Sequence, residues 1–493
     1  MKKKLTLFSL LLILSLHVLG YQKTALKKAL PNIVLINIDD MGWRDAGFMG
    51  SQFYETPNLD DLAARGIIFN QAYAAAANCA PSRACMMSGE NTPRHGVYTV
   101  GSSERGKSKN RKLIPVVNKA TIPDQHLLFP ELLKQNGYST CHAGKWHISQ
   151  DPLTRGFDVN IGGSDAGNPG SYYPPYKNVP GIQAENDDYL TDLVMDKTLD
   201  FIANHDKKQP FFLNYSPYAV HTPIQPVAGL LGKYLGKSPS NGQDNAKYAT
   251  MVENLDRNIG RLIDLLHEKK LYGNTFIFFI TDNGGLFRVT KQRPLRAGKG
   301  SYYEGGIRVP AFAVWPGKIN PDQVSEAPIT NLDILPTLLE LTGILKPEDK
   351  ILDGISLIPL LTGNKELPER PLYWHFPVYL EGGNNESQDL LFRTRPGSAI
   401  RYGDWKLIQY FENNVIELYN LKDDVSENNS LVNENQEKAK TLLSMLDHWR
   451  KRTDAPIPKT LNPDFEDEKR INSSGFRCDV AYLVWSATHE SNW

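Results

Sequence analysis

Two nearly continuous apolar runs, at residues 32–38 and 275–281, stand out from the more polar remainder of the chain. A run of this kind is typical of a strand that is buried on both faces of a parallel sheet. Shorter candidate strands cover residues 210–215 and 139–143. Between these strands, apolar residues recur at helical spacing, which predicts amphipathic helices at residues 59–65, 127–136, 189–204 and 248–270.

Strands that alternate with helices indicate an α/β fold, in which helices flank a large, mixed but mainly parallel sheet. We place this N-terminal domain at residues 29–364. The chain is long enough for a second, smaller unit beside it.

The pattern changes beyond residue 364. Short alternating segments between residues 398 and 419 are typical of an antiparallel meander, and a helical pattern follows at 433–453. We therefore expect a smaller C-terminal α+β subdomain at residues 365–460. The tail at 461–493 gives no clear signal.

The N-terminus has the pattern of an export signal. Three lysines at positions 2–4 precede an apolar run at 5–19, which predicts a signal peptide at residues 1–20. That run is short for a membrane span, and no later stretch approaches about 18 uninterrupted apolar residues. We expect a secreted or periplasmic protein with no stable membrane insertion after cleavage; a retained N-terminal anchor is the alternative.

Charge and cysteine content narrow the possible partners. The chain has 55 Lys and Arg residues against 55 Asp and Glu residues, so no global field would hold nucleic acid or an anionic membrane surface. Recognition of an anion must therefore be local. Four cysteines are too few for a disulfide scaffold, and Cys79 and Cys85 are either a local disulfide or two buried thiols.

Oxygen ligands follow the two long apolar runs. Asp39 and Asp40 come directly after the first, and Asp282 and Asn283 follow the second. Ligands of open α/β sheets bind beyond the carboxyl ends of the strands, where these residues are expected. Hard oxygen donors suit Ca²⁺ better than Zn²⁺, although Mg²⁺ fits the same ligand types. A single acidic pair of this kind is more often a cap or a turn.

A candidate anion site lies at Cys79. The segment from Asn78 to Arg83 precedes small residues that can open a helix. Backbone N–H groups at a helix start favour an anion or a lowered thiol pKa, and Arg83 can clamp a sulfate or phosphate with two hydrogen bonds. These residues suggest a cysteine nucleophile, but a packed loop of small residues explains them equally well.

Other candidate acids, bases and cations also follow predicted strands or lie in glycine-rich loops. Lys145 and His147 follow the strand at 139–143, His221 follows a later strand, and Lys299 lies in a basic loop. A lysine there would stabilise charge on an anion, and a histidine would act as acid or base. A structural histidine and an ordinary surface loop are the simpler explanations.

In their order along the chain, these segments resemble the type I sulfatases, the formylglycine-dependent family of the alkaline-phosphatase-like superfamily. The signature is Cys79-Ala-Pro-Ser-Arg83 followed by Ser88-Gly89, and the similarity covers most of residues 30–430. The resemblance implies the alkaline-phosphatase-like fold, a C-terminal subdomain with an antiparallel sheet, and hydrolysis of a sulfate ester.

The resemblance also implies the cofactors. A sulfatase-maturing, formylglycine-generating enzyme would oxidise Cys79 to formylglycine (3-oxoalanine), whose hydrate presents a hydroxyl nucleophile. One Ca²⁺ would be held by Asp39, Asp40, Asp282, Asn283 and the modified Cys79. Ser88 stands where the family usually has Thr, and a disulfide between Cys79 and Cys85 would block maturation.

Roles for the remaining residues follow from the same resemblance. Arg83, Lys145 and Lys299 would neutralise the sulfate. His147 would orient the hydrate and take a proton when the sulfated intermediate collapses to the aldehyde. His221 would protonate the leaving alcohol.

Two other functions compete with this one. A phosphatase or phosphodiesterase of the same superfamily would usually have a Ser or Thr nucleophile and two zinc ions, which the context of Cys79 argues against. A non-enzymatic binder of sulfated glycans would lack formylglycine. For the substrate we expect a sulfated saccharide, with candidate contacts from His95, Tyr172, Tyr173, Arg288, Trp374, His375 and Arg393.

Overall fold

The protein is described by a computed structural model that covers residues 30–466, except 184, 186 and 364. The signal peptide expected at residues 1–20 and most of the tail at 461–493 lie outside the described residues. Among the described helices, none combines the length and the apolar character that a membrane crossing requires.

Seventeen strands are described. They are β1 (Asn32–Ile38), β2 (Ile67–Phe69), β3 (Ala72–Tyr73), β4 (Ser139–Gly144), β5 (Val159–Ile161), β6 (Phe211–Ser216), β7 (Thr275–Thr281), β8 (Arg308–Val309), β9 (Ala311–Val314), β10 (Gln323–Ser325), β11 (Ile329–Thr330), β12 (Leu372–Phe376), β13 (Leu380–Glu381), β14 (Phe392–Thr394), β15 (Gly397–Tyr402), β16 (Trp405–Tyr410) and β17 (Val415–Asn420).

The described α-helices are α1 (Pro57–Ala64), α2 (Cys79–Ser88), α3 (Thr92–His95), α4 (Phe129–Gln135), α5 (Leu190–Ala203), α6 (Ala228–Leu235), α7 (Ala246–Glu268), α8 (Glu304–Ile307), α9 (Ile334–Thr342), α10 (Ile358–Leu361) and α11 (Gln436–Arg452). Short 3₁₀ helices cover Gly47–Met49, Ser108–Asn110, Pro152–Arg155, Tyr272–Asn274 and Asn331–Asp333.

An eight-stranded sheet forms the centre of the fold, with the strand order β10-β2-β9-β7-β1-β6-β4-β5. All neighbouring pairs are parallel except those that β9 makes with β2 and β7. The prediction of a mixed, mainly parallel sheet is therefore confirmed. Strand β9 was not predicted, because its four residues form too short a run to be distinguished from a helix segment.

Helices cover both faces of this sheet. Along β1, Val34 and Ile36 pack in one apolar cluster with α1, α5 and α7. Ile33 and Leu35 point to the other face and pack in a second cluster with α2, α4 and α9. This alternation explains why the sequence of β1 is apolar at nearly every position, since both faces of the strand are buried.

A second sheet, with the order β12-β15-β16-β17, is antiparallel throughout and is covered by α11. It confirms the predicted meander and the helix that follows it. One apolar cluster contains Tyr73 and Tyr302 together with Trp374 and Tyr410, so this sheet packs directly on the N-terminal part of the chain. The domain limits at 29–364 and 365–460 stay a prediction.

Candidate active site

Four neighbouring parallel strands, in the order β7-β1-β6-β4, end at the same edge of the large sheet. Their register pairs Ile38 with Thr281 and Gly144 with Ser216, so the residues that follow these strands emerge side by side. Backbone hydrogen bonds continue past the strand ends, where the N–H of Asp282 donates to the carbonyl oxygen of Ile38 at 3.0 Å. The sheet thereby brings together residues that are far apart in the sequence.

Cys79 is the first residue of helix α2 and is buried. The side chain of Asn78 caps this helix, because its Oδ1 accepts a hydrogen bond from the N–H of Cys79 at 3.1 Å. The predicted helix start is therefore confirmed. Cys79, Cys85 and Cys141 are all free thiols, which contradicts the alternative of a local disulfide between Cys79 and Cys85.

A compact group of donor atoms forms at this edge. Ligand atoms of Asp39, Asp40, Cys79 and His221 all lie within 4.8 Å of one another. Asn283 joins them through its Nδ2, which donates to Oδ1 of Asp40 at 2.8 Å. The Oδ1 atom of Asn283 is buried and has no hydrogen-bond partner among the described residues.

Three cations pair with the carboxylates of this group. Lys145 donates to both carboxylate oxygens of Asp39, at 2.9 and 2.8 Å. The Nε atom of Arg83 donates to Asp282 at 2.7 Å. These pairs lie at the centre of the site.

Lys299 provides the third cation and the direct link to the cysteine. Its Nζ lies 2.6 Å from Oδ1 of Asp40 and 3.4 Å from Sγ of Cys79. The basic loop that contains Lys299 therefore does reach the site, as the sequence suggested.

Arg83 is held in place by more than its carboxylate partner. Its Nη1 donates to the carbonyl oxygen of Lys145 at 2.8 Å and to Oγ of Ser216 at 2.6 Å. Its Nη2 is buried without a hydrogen-bond partner among the described residues. Ser216 was missed by the sequence analysis, although its place at the end of β6 follows the same strand-end rule that found Asp39.

Burial and neighbouring charges set the pKa values of the two adjacent aspartates in opposite directions. Burial raises the pKa of Asp39 to about 8, against the opposing charge of Lys145, and the Asp282 charge raises it further. Burial alone would also raise the pKa of Asp40, but the charge and hydrogen bond of Lys299 and the charge of Lys145 act against burial, and this pKa lies below its ordinary value. A site with this many buried carboxylates favours a further cation.

Both histidines of the site are neutral near pH 7. Burial lowers the pKa of His147 well below its ordinary value, and the charge of Lys145 adds to this shift. Burial also lowers the pKa of His221 to about 3, again with a contribution from Lys299. Each ring can therefore accept a proton when the local charge changes.

The two histidines are held differently. His221 lies with Nδ1 2.7 Å from the carbonyl oxygen of Thr222, so Nδ1 carries the hydrogen and Nε2 faces Asp40 at 3.5 Å. The backbone φ of His147 is +71°, and its buried Nδ1 has no hydrogen-bond partner among the described residues. Gly167 packs against the ring of His147, where an added Cβ would lie 2.7 Å from Nε2.

Several expected sugar contacts are corrected by the structure. Trp374 and His375 are buried, and the indole of Trp374 donates to the carbonyl oxygen of Ala74 at 2.8 Å. His375 lies 2.7 Å from Oγ of Ser398, which also fixes it internally. Both side chains belong to β12, whose surroundings leave them no surface for a ligand. The sequence does not reveal this burial, because exposed and buried aromatic residues look alike in a short strand.

His95 and Tyr172 are corrected in the same way. His95 is buried with its Nε2 3.4 Å from Sγ of Cys85. The hydroxyl of Tyr172 donates to the carbonyl oxygens of Tyr218 and His221, at 2.5 and 2.9 Å. Tyr172 therefore positions the loop that carries His221 instead of contacting a sugar.

The other three candidate contacts are more accessible. Tyr173 is partly buried, and its hydroxyl donates to the carbonyl oxygen of Pro226 at 2.9 Å. Arg288 is exposed, and Arg393 is partly buried next to Gly300, the neighbour of Lys299. Among the described residues, neither of these two arginines makes a hydrogen bond or an ion pair.

Comparison with known proteins accounts for this arrangement. The family model Sulfatase matches residues 31–344, and the model N-sulphoglucosamine sulphohydrolase, C-terminal, matches residues 298–452. Human N-acetylgalactosamine-6-sulfatase is 33% identical over 375 residues, which are 70% of this chain and 68% of the human protein. A protein of Formosa agariphila that is named sulfatase is 32% identical over 88% of this chain and 90% of its own length.

Solved structures agree with these matches. Ps i-CgsB is 28% identical with a TM-score of 0.72, over 90% of this chain and 97% of its own. The resemblance that the cysteine signature suggested is thus confirmed over both sheets, and the cluster around Cys79 lies within the matched region. The chain belongs to the sulfatase family and is a sulfuric ester hydrolase.

Proposed function

We propose that this enzyme removes sulfate from a sulfated carbohydrate, with formylglycine made from Cys79 as the nucleophile and with one Ca²⁺. The observation that carries the proposal is the position of Lys299, whose ammonium lies 3.4 Å from Sγ of Cys79 and 2.6 Å from Asp40. One cation thereby lies between the modifiable residue and the oxygen ligands, where it would stabilise negative charge on an ester.

The names of similar proteins support a carbohydrate substrate. The human relative is an N-acetylgalactosamine-6-sulfatase. Ps i-CgsB, whose complex with k-i-k-neocarrahexaose has been solved, is 29% identical to this chain in that structure, with a TM-score of 0.71. We therefore take a sulfated saccharide as the substrate class of this chain. We do not carry over the particular sugar of either relative.

The residues of the site fit a calcium ion. Asp39, Asp40, Asp282 and Asn283 offer the oxygen donors that Ca²⁺ prefers, and the buried Oδ1 of Asn283 has no hydrogen-bond partner among the described residues. The raised pKa of Asp39 also indicates that a further positive charge would stabilise the ionised form of this carboxylate. When bound, Ca²⁺ would polarise the sulfate oxygens and would thereby lower the barrier to nucleophilic attack on the sulfate.

Formylglycine at position 79 would supply, as its hydrate, a hydroxyl nucleophile that a thiol does not provide. The chain's own residues would place the sulfate in front of it. Arg83 offers the buried Nη2, which lies 3.9 Å from Asp39 and has no hydrogen-bond partner among the described residues, and Lys299 lies beside position 79. Lys145, paired with Asp39, adds a third positive charge in a buried site where charges act strongly.

The two histidines would move the protons. We assign to His221 the delivery of a proton to the leaving sugar oxygen. Its Nε2 faces Asp40, while its Nδ1 is held by the carbonyl oxygen of Thr222. The negative charge of a bound sulfate would raise the pKa of His221 and allow Nε2 to hold that proton. His147, neutral and with an unpartnered Nδ1, would take a proton from position 79 when the sulfate is released.

This proposal includes export and maturation. The N-terminal pattern supports a secreted or periplasmic enzyme, and a sulfatase-maturing enzyme would act on the chain before or during folding. Maturation must precede folding because Cys79 is buried once α2 has formed. The free thiols of Cys79 and Cys85 are compatible with this step.

The decisive experiment is a peptide map across residues 71–94 of protein exported from a host with a sulfatase-maturing system. Conversion of Cys79 to formylglycine lowers the mass of that peptide, and the matured protein should hydrolyse sulfated saccharides. A matched Cys85→Ala variant should mature normally, whereas Cys79→Ala should show neither the mass change nor turnover. An unmodified Cys79 in active protein would overturn the proposal.

A further inference from the structure

Among the described residues, a guanidinium group without a hydrogen-bond or ion-pair partner lies beside the loop that contains Lys299. Arg393, on β14, packs over Gly300, where an added Cβ would lie 3.0 Å from Cδ of Arg393. Gly300 directly follows Lys299 in the chain. Within the described part of the chain, the guanidinium of Arg393 makes neither a hydrogen bond nor an ion pair, although the side chain is partly buried.

The acidic groups nearest to Arg393 are already neutralised. Glu381, on the paired strand β13, is bound by Arg105 through three contacts of 2.7 to 2.9 Å. Asp40 is bound by Lys299 at 2.6 Å. Arg393 therefore adds a positive charge that no carboxylate nearby is free to balance.

A second arginine increases this excess. Arg288 lies five residues past Asn283, in the loop that follows β7, and it is exposed. Burial lowers the pKa of Arg393, Asp40 opposes that shift, and the like charge of Arg288 adds to it. The loop that carries Arg288 also packs against the loop of Lys299. The N–H of Lys299 donates to the carbonyl oxygen of Gly285 at 2.9 Å, and an added Cβ at Gly298 would lie 3.2 Å from the backbone nitrogen of Phe287, the residue before Arg288.

Guanidinium groups on neighbouring loops repel each other, and an anion bound between them reverses this cost. The sulfate to be removed already has Arg83, Lys145 and Lys299 as its cations. The chain has no excess of basic residues overall, so a local excess beside the site points to a specific ligand group.

We propose that Arg393 and Arg288 bind a second anionic group of the saccharide, beside the sulfate that is removed. This inference rests on the proposed sulfatase function and deepens it, because it names the substrate class as a saccharide with at least two negative charges. The second group is either another sulfate ester or a uronate carboxylate, since both offer oxygen pairs to a guanidinium.

The test compares three disaccharide substrates that share one sulfate ester: one with no other charge, one with a second sulfate and one with a uronate carboxylate. Wild-type enzyme should show a higher kcat/KM for one of the doubly charged sugars, and which of the two it prefers identifies the group. Arg393→Gln and Arg288→Gln should each lower kcat/KM for the preferred, doubly charged sugar. That loss should be about 10- to 100-fold larger than the loss of kcat/KM for the singly charged sugar.

Two controls make the result specific. Arg257→Gln removes an arginine of similar exposure to Arg288 from helix α7, and it should leave the substrate preference unchanged. Binding of the doubly charged sugar to the Cys79→Ala protein, measured by calorimetry, should weaken about tenfold or more when Arg393→Gln is added.

The outcomes separate the two levels of the proposal. Equal losses on all three sugars, or no wild-type preference for a second charge, would overturn the second-anion site and leave the sulfatase function intact. If matured wild-type enzyme hydrolyses none of the three sugars but calorimetry still shows arginine-dependent binding, the carbohydrate substrate proposal fails instead.

Discussion

The ammonium of Lys145 lies within hydrogen-bond distance of both carboxylate oxygens of Asp39, and neither side chain is exposed to solvent. Removing one partner of such a pair leaves a buried charge uncompensated, which costs about 3–5 kcal/mol. We expect Lys145→Met to lower the free energy of unfolding by an amount of this order and to reduce kcat at least 100-fold. Thermal unfolding and steady-state kinetics measure the two effects.

Calcium should partly rescue the stability of Lys145→Met, because the ion would supply positive charge beside Asp39. The matched control is Lys440→Met, which breaks an exposed pair with Glu437 on helix α11. An exposed pair contributes about 0–1 kcal/mol, so this variant should unfold and turn over like wild type. Normal turnover by Lys145→Met would contradict the role assigned to Lys145.

The absence of a side chain at position 167 fixes the position of His147. A Cβ at Gly167 would lie 2.7 Å from both Cε1 and Nε2 of the imidazole, so Gly167→Ala must displace the ring. A displacement of about 1 Å at a catalytic group can reduce the rate about 100-fold. We expect kcat to fall by 10- to 100-fold with a smaller change in stability.

Gly229→Ala is the matched control for that variant. Gly229 lies in helix α6, and an added Cβ would meet nothing within 4 Å, so its kcat should be unchanged. A Gly167→Ala enzyme with the kcat of wild type would show that the ring of His147 need not stay where the structure places it.

The sequence predicted most of the large sheet and its chemistry for one physical reason. A parallel strand buried on both faces is apolar at nearly every position, so the polar residues that follow it, such as Asp39 and Asp282, are conspicuous. Strand β9 gave no such signal because it is short. The family resemblance, and not the spacing of residues, supplied the modification of Cys79 and the roles of the histidines.

The residues that the sequence placed wrongly or did not reveal depend on contacts between distant segments. Trp374 and Tyr172 were expected at the substrate because aromatic rings suit sugars, but their burial depends on packing between distant segments. Gly167 has no chemistry that marks it in a sequence, and Ser216 is marked only by its place at the end of a strand. Each acts only through contact with another residue, Arg83 or His147, and such contacts are visible only in three dimensions.

Trp374 should behave as a core residue. In Trp374→Phe, the carbonyl oxygen of Ala74 loses its hydrogen bond from the indole, which should lower the free energy of unfolding by about 1–3 kcal/mol. We expect KM for the sugar to stay within about twofold of wild type. Trp405→Phe, on the neighbouring part of the same sheet, is the milder control, because Trp405 is less buried. A large rise in KM without loss of stability would restore Trp374 as a sugar contact.

Calcium should stabilise the folded enzyme through Asn283. A ligand present at about 100 times its Kd stabilises the folded state by about 2.7 kcal/mol, so added Ca²⁺ should raise the unfolding temperature of chelator-treated protein. The shift should be smaller in Asn283→Ala, which lacks the buried Oδ1 that has no hydrogen-bond partner among the described residues. Asn274→Ala, whose amide only donates to the carbonyl oxygen of Leu30, should respond like wild type. Equal shifts in all three proteins would place the ion elsewhere.

A buried group of three charged side chains, Lys406, Glu304 and Glu427, should make stability depend on pH. Lys406 lies between two carboxylates, 2.9 Å from Glu304 and 2.8 Å from Glu427, and joins the antiparallel sheet to helix α8. Burial raises the pKa of Glu427 to about 7, against the opposing charge of Lys406 and with the Glu304 charge adding to it. Burial acts to raise the pKa of Glu304 as well, but the charges of Lys406, Arg308 and Arg401 together lower it to about 2.

The sign of the expected effect follows from proton binding. Between pH 4.5 and 7, Glu427 keeps its proton in the folded state and loses it in the unfolded state, so its contribution to stability declines as the pH rises through this window. Glu427→Gln removes this dependence but keeps an acceptor for the N–H of Glu304. The unfolding temperature of Glu427→Gln relative to wild type should therefore rise by a few °C from pH 4.5 to 7.5, since 1 kcal/mol corresponds to about 2–4 °C. Glu437→Gln, at an exposed position, should show no such trend, and a relative change of the opposite sign would mean that Glu427 is ionised throughout this range.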